Sequence, residues 1–270
     1  MGAGAQGLTR TPHGPAAASG TKAAVAAAAL AASLALWFAA SARLPAYVLP
    51  PPGEVAWAVA DFFSNARKLG HLGATLRNIG VAIALSFTLG SVLAFAAHYA
   101  RWSEPTIHRR LSPFLNSFSG VGWTLLAVIW FGVSMTTVVF AISVVLLPFA
   151  LINLREGLQA LDRELGEMAE SFTRTRRRII ATVVVPAIVP FAFATLRIMF
   201  GVAWKVTLTA ELFGGNQGLG YMINLARQDF DTATIFVVIL FVIMSVYSAD
   251  RVLLAPVERW LARRYGTATS

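Results

Sequence analysis

The sequence predicts an all-α membrane protein with six transmembrane helices, and three observations carry that prediction. Of its 270 residues, 57% are hydrophobic and 13% charged, whereas a soluble domain carries about a quarter charged residues. Apolar stretches recur that are long enough, at about 1.5 Å per residue, to cross a hydrocarbon core of about 30 Å. The basic residues behind the net charge of +9 fall in blocks between those stretches. That is the pattern of orientation signals, and not of a nucleic-acid face, which interleaves aromatic residues.

Residues 1–22 are Gly, Ala, Pro, Ser and Thr with little apolar bulk. Such a composition cannot repay the entropy of ordering, so they read as a flexible cytoplasmic tail. Residues 23–42 are uncharged and contain Trp37-Phe38, which makes them the first transmembrane helix. A cleaved signal peptide is the rival reading, because Lys22 precedes the run and Ala40-Ser41-Ala42 has a small-x-small form. The run is longer than a signal's apolar region and its leader is unusual, which favours a retained helix.

Leu49-Pro50-Pro51-Pro52-Gly53 stiffens the chain, since proline fixes φ. Beyond it, 54–70 sets Val55, Val59, Phe62, Phe63 and Ala66 at helical spacing opposite Glu54, Asp61 and Arg67. This predicts an amphipathic interfacial helix within an external segment, 43–74. The core, 75–256, holds spans at about 75–98, 114–133, 135–152, 187–210 and 233–256, and 257–270 forms a cytoplasmic tail.

With the N-terminus inside, the tail, 99–113, 153–185 and 257–270 hold 14 Lys and Arg, while 43–74 and 211–232 hold 4. Basic residues concentrate on the cytoplasmic side, so both termini are predicted there. There is no cysteine, which excludes disulfides, thiolate metal sites and thiol nucleophiles. His13, His71, His98 and His108 lack metal-binding spacing.

Within 153–185, Leu158, Leu161, Leu165, Met168 and Phe172 recur every three or four residues among charged neighbours, as in an amphipathic helix facing water. Charge patterning alone describes a solvated connector. Spacing adds more: Glu167-Met168-Ala169 is followed by Thr173 and then by Val183-Val184-Val185-Pro186. This resembles the cytoplasmic EAA loop of ABC-importer permeases, where an E-A-A triplet precedes a glycine and an apolar-x-apolar-Pro ending. The register carries over without insertion or deletion. The resemblance extends across roughly 45–262 through Leu49-Pro50-Pro51-Pro52, Trp130-Phe131-Gly132, Leu196-Arg197, Ala203-Trp204 and Gly218-Leu219-Gly220-Tyr221. It points to the branch serving nitrate, taurine and aliphatic sulfonates.

The resemblance implies a type I ABC importer permease in a bacterial inner membrane, working as a homodimer with two copies of an ATPase subunit and a substrate-binding protein. ATP and Mg would sit on the ATPase, with no cofactor, metal or catalytic residue on this chain. The cargo would be a small polar, anionic nutrient such as a sulfonate, taurine or nitrate, and an aromatic acid or a vitamin precursor would also suit so apolar a path. By position, Glu167, Met168, Ala169, Thr173 and Pro186 would shape the loop that docks on the ATPase. Arg174, Arg176, Arg177 and Arg178 would belong to the docking element, where guanidinium groups can make forked hydrogen bonds to carboxylates. Thr173 stands where the family has glycine, and a β-branched residue is costly at positive φ, so the turn there is either not left-handed or reshaped.

No G-x-x-x-x-G-K-[ST] occurs, and Gly214-Gly215-Asn216-Gln217-Gly218-Leu219-Gly220 follows a membrane span, which makes it an external turn. An ion-coupled secondary transporter predicts paired acidic residues or broken helices at matching places in two halves. An intramembrane enzyme predicts a nucleophile with a base, or metal ligands, at membrane depth. Neither pattern is present.

Ionisable groups at membrane depth usually face protein or water. Lys205, inside the fifth span, and Glu211, at its outer end, are therefore translocation-path candidates, with snorkelling or pairing within the subunit as the alternative for Lys205. Arg197, nearer the cytoplasmic start, reads as a structural anchor. Residues 113–124 concentrate small and polar side chains, which permit close helix packing. In the family this helix borders the pathway, so Asn116, Ser119 and Trp123 join the candidates, with packing as their alternative.

Overall fold

The computed structural model describes residues 16–100, 104–159 and 184–265, and every regular element among them is helical. The chain divides into two units, Met1–Glu54 and Val55–Ser270. In the first, α1 (Ala16–Ser41) begins earlier than the apolar run, so part of the expected tail is helical. Its Val25, Leu30, Leu36 and Phe38 are exposed, as suits a helix surrounded by lipid tails. Beyond it the proline run folds back, and Trp37 Nε1 donates to the Pro50 carbonyl at 3.0 Å.

Helix α2 (Pro52–Ser64) leads into the second unit and buries Val55 and Phe62. It stops at Asn65, which has extended backbone and accepts the Arg67 amide on its Oδ1 at 3.0 Å. A side chain that satisfies an orphan amide starts a new helix. The amphipathic helix expected over 54–70 therefore ends at Ser64, and α3 (Ala66–Tyr99, 34 residues) begins within the expected external segment. At about 1.5 Å per residue α3 exceeds the hydrocarbon thickness by several turns.

The span expected over 114–133 is also corrected. A short α4 (Glu104–Thr106), a π-wound turn (Ile107–Leu111) and α5 (Ser112–Asn116) precede a break, after which α6 (Gly120–Phe131) begins. Ser119, at φ −70 and ψ 155, accepts the Gly122 amide on its Oγ at 3.1 Å. Capping by that hydroxyl replaces helix continuation. With 12 residues, α6 reaches about 18 Å. Among the described residues five helices are long and apolar enough to cross a membrane, and α6 is a shorter apolar one.

Helix α7 (Met135–Gln159) is the centre of the packing, with Ala141, Ile142, Leu146, Ala150 and Leu151 fully buried. It lies against α3, α6 and α8 (Val185–Gly214). Toward α7, α3 presents Ala82, Ser86, Gly90, Ala94 and Ala97, all buried. Small residues three or four apart let helices in a membrane approach closely. A Cβ on Gly90 would stand 2.5 Å from that of Ala150.

The chain closes with α9 (Leu219–Gln228), α10 (Thr232–Ala249), a π-wound turn (Asp250–Leu254) and α11 (Ala255–Tyr265). Arg197 on α8 pairs with Asp250 at 2.8 Å and also with Glu258. It thus anchors α8 to the final helices.

Candidate functional site

Trp204, Thr207 and Glu211 lie three and four residues apart on the buried face of α8. Glu211 is 0% exposed, without a cation beside it among the described residues. Its oxygens are met instead by donors: Thr75 Oγ1 at 2.8 Å and the Gly220 amide at 3.0 Å on Oε2, and Asn78 Nδ2 at 2.9 Å on Oε1. Such bonds offset the cost of desolvating a carboxylate. The Thr75 hydroxyl also accepts the Leu219 amide at 2.8 Å, and His71 Nδ1 accepts the Gly218 amide at 3.2 Å.

Three consecutive amides at the start of α9 are thus held by side chains of α3 and α8. The first amides of a helix have no partner inside it. Two glycines make the approach possible. Gly218 sits at φ 114, where a Cβ would overlap the Glu211 carboxylate, and a Cβ on Gly220 would overlap the Leu208 carbonyl oxygen. The amides that a phosphate-binding loop offers to a ligand are here taken by the protein itself. The carboxylate of Glu211, expected along the path, is enclosed between helices. Sequence reasoning missed His71, Thr75 and Asn78. Their signal was polar residues three or four apart on one helix face, beside a Gly-x-Gly turn far away in sequence.

Asn116, Ser119 and Trp123 meet at the break between α5 and α6. Trp123 is buried, donates its Nε1 to the Leu115 carbonyl at 3.3 Å, and takes Phe114 and Phe118 edge-on. Ser119 is the helix cap, and Asn116 is exposed and donates to the Ser112 carbonyl at 3.1 Å. Lys205 is exposed on α8, one helical turn from Gly201, where a Cβ would meet nothing within 4 Å, and two turns from the exposed Ile198. Lys205 and Glu211 thus face different sides of α8 and are not brought together.

Glu167, Met168, Ala169, Thr173, Arg174, Arg176, Arg177 and Arg178 lie outside the described residues. Pro186 stands in the first turn of α8, where its missing N–H costs nothing. The two stems of the loop are packed together: Leu154 and Leu158 of α7 share one buried cluster with Val184 and Ile188, joined by Ala94, Ala97 and Ile107. Gly157 lets Phe191 approach so closely that a Cβ there would stand 2.8 Å from the Phe191 Cβ. The loop therefore springs from a firm base. Among the described residues no group of three His, Asp or Glu side chains could hold a metal ion.

A family profile described as "Binding-protein-dependent transport system inner membrane component" matches residues 86–261. The chain is 30% identical to the formylaminopyrimidine transport permease protein ThiX of Halalkalibacterium halodurans, over 70% of this chain and 75% of that protein. It is 26% identical to the taurine transport system permease protein TauC of Escherichia coli, over 67% of each. With the nitrate import permease protein NrtB of Synechococcus elongatus it shares 25% identity over 84% of this chain and 88% of that one.

Proposed function

The chain belongs to the family of binding-protein-dependent transport system inner membrane components, and from that premise we propose that it forms the translocation path for a small polar, anionic nutrient. It is a multi-pass protein of the cytoplasmic membrane and an ABC importer permease, a transport subunit and not an enzyme. Such a system brings a separate ATPase subunit and a substrate-binding protein. The proposal sets two copies of the ATPase, carrying ATP and Mg, against two copies of this chain, with the path along their common axis.

The observation that carries the reading is the loop 167–186: its undisturbed E-x-A…apolar-x-apolar-Pro spacing falls between two helix stems that pack against each other. A docking element transmits force only from a firm base. Glu167, Met168, Ala169, Thr173 and Pro186 shape that loop in the proposal, and Arg174, Arg176, Arg177 and Arg178 face carboxylates of the ATPase. An anionic cargo is supported by Lys205, a cation on an open face of α8, and by a relative named for nitrate. Asn116 and Ser119, at the exposed break before α6, complete the lining. Trp123 holds that break from behind.

The test is reconstitution in liposomes with the partner ATPase and the partner binding protein. Uptake should require ATP inside and the binding protein outside. Accumulation driven by an ion gradient without ATP would overturn the proposal.

A further inference from the structure

Helix α8 begins directly after the loop proposed to meet the ATPase and runs for 30 residues without a break to Gly214. At about 1.5 Å per residue it spans about 45 Å, with Pro190 inside its second turn, where an intrahelical hydrogen bond is missing. Near its outer end, Glu211 binds Thr75 and Asn78 of α3 and Gly220 of α9. His71 and Thr75 hold the two preceding amides. All of Glu211, Thr75 and Asn78 are buried, so no water is at hand to replace a broken bond.

We propose that Glu211 is a positioning residue of the transport cycle: its carboxylate locks the external turn at 215–218 and α9 onto α3, so that α3, the outer end of α8 and α9 move as one body. Displacement of α8 beyond Pro190 then carries the external mouth with it. That consequence rests on the docking reading, whereas the lock itself does not.

The lock works by hydrogen-bond geometry, and glutamine can reproduce it. With its oxygen at the Oε2 position, Glu211→Gln still accepts from Thr75 and Gly220. Its amide then faces Asn78, whose Oδ1 has no partner among the described residues and can accept after the Asn78 amide turns over. Glu211→Ala removes all three bonds.

The chain has no cysteine, so Leu69→Cys on α3 and Leu225→Cys on α9, both exposed and outside the lock, can carry a pair of spin labels. Pulsed distance measurements on the full chain in nanodiscs, alone and with the ATPase, with the labelled chain diluted into unlabelled chain so that only distances within one chain are read, should give one narrow distribution in each nucleotide state. Glu211→Gln should keep that distribution, and Glu211→Ala should broaden it. Maximal uptake should fall about tenfold or more in Glu211→Ala and stay within about twofold in Glu211→Gln. A narrow distribution and parental uptake in Glu211→Ala would overturn the lock. Loss in Glu211→Gln equal to that in Glu211→Ala would overturn it too, because charge itself would then be the requirement. Should Glu211→Ala fail to accumulate, Glu211→Gln decides alone: parental distances and uptake support the lock, and loss of either rejects it. Failure of the docking reading looks different, as absent ATPase binding with the distances of the isolated chain unchanged.

Discussion

The hydroxyl of Thr75 lies 2.8 Å from Glu211 Oε2 and 2.8 Å from the amide of Leu219. It donates to the carboxylate and accepts from the amide, so a single oxygen on α3 joins α8 to α9. Replacing it by a methyl leaves a buried amide and a carboxylate oxygen short of partners, at a cost of about 1–3 kcal/mol each. Thr75→Val should therefore lower the apparent melting temperature in detergent clearly, and Thr75→Ser, which keeps the oxygen, far less. A Val variant that melts with the parent would mean that the hydroxyl is not holding these helices.

A second prediction concerns the contact between α3 and α7. Gly90→Ala forces a methyl group to within 2.5 Å of the Ala150 Cβ, and it also meets the Leu151 backbone. Overpacking of this kind costs about 1–3 kcal/mol. Ala150→Gly in the same chain should recover a good part of that loss, because contacting residues couple and distant ones add. A double-mutant cycle on unfolding midpoints checks it, and strict additivity would contradict the close approach.

These two contacts also mark the reach of the sequence. The small residues at 82, 86, 90 and 94 are periodic and visible, yet in a long apolar run nothing says which helix they meet. Apolar stretches located most of the spans, because length and hydropathy average over many residues. Helix boundaries depended on single side chains: Asn65 and Ser119 each cap a new helix, and a window average passes over them. The Glu211 cluster joins residues 133 and 136 positions apart, a pairing that no local period encodes. The loop motif at 167–186 was legible because its information lies in spacing along the chain.

Orientation follows from charge asymmetry, and cysteine scanning suits a chain that has none. Ala60→Cys on the exposed face of α2 should react with a membrane-impermeant thiol reagent added to intact spheroplasts. Arg264→Cys in α11 should react only after the membrane is opened. Equal labelling of both from one side would remove the proposed topology.

Docking predicts a separable defect. Deleting 174–178, or replacing Glu167 by arginine, should release the ATPase subunit or uncouple hydrolysis from uptake while the chain still inserts. The stems of the loop pack through Leu154, Leu158, Val184 and Ile188, none of which these changes touch. Affinity purification followed by coupled uptake measures both. Intact composition with coupled transport after the deletion would show that the ATPase grips another surface.

Lys205 provides the sharpest test of an anionic cargo. It projects from an exposed face of α8, two turns from Ile198, and has no ion-pair partner among the described residues. An ammonium at membrane depth needs water or a counter-charge, and a passing anion supplies one transiently. Lys205→Met keeps approximately the length and removes the charge, so uptake should drop about tenfold, the scale of one hydrogen bond to a charged group. Assembly with the ATPase and its basal hydrolysis should persist, because the side chain is exposed and forms no ion pair among the described residues. Lys205→Arg, which retains the charge, should recover much of the uptake. A structural role would appear instead as poor accumulation or a dissociated complex in the Met variant. Full uptake by a well-assembled Met variant would take Lys205 out of the path and with it the structural support for an anionic cargo.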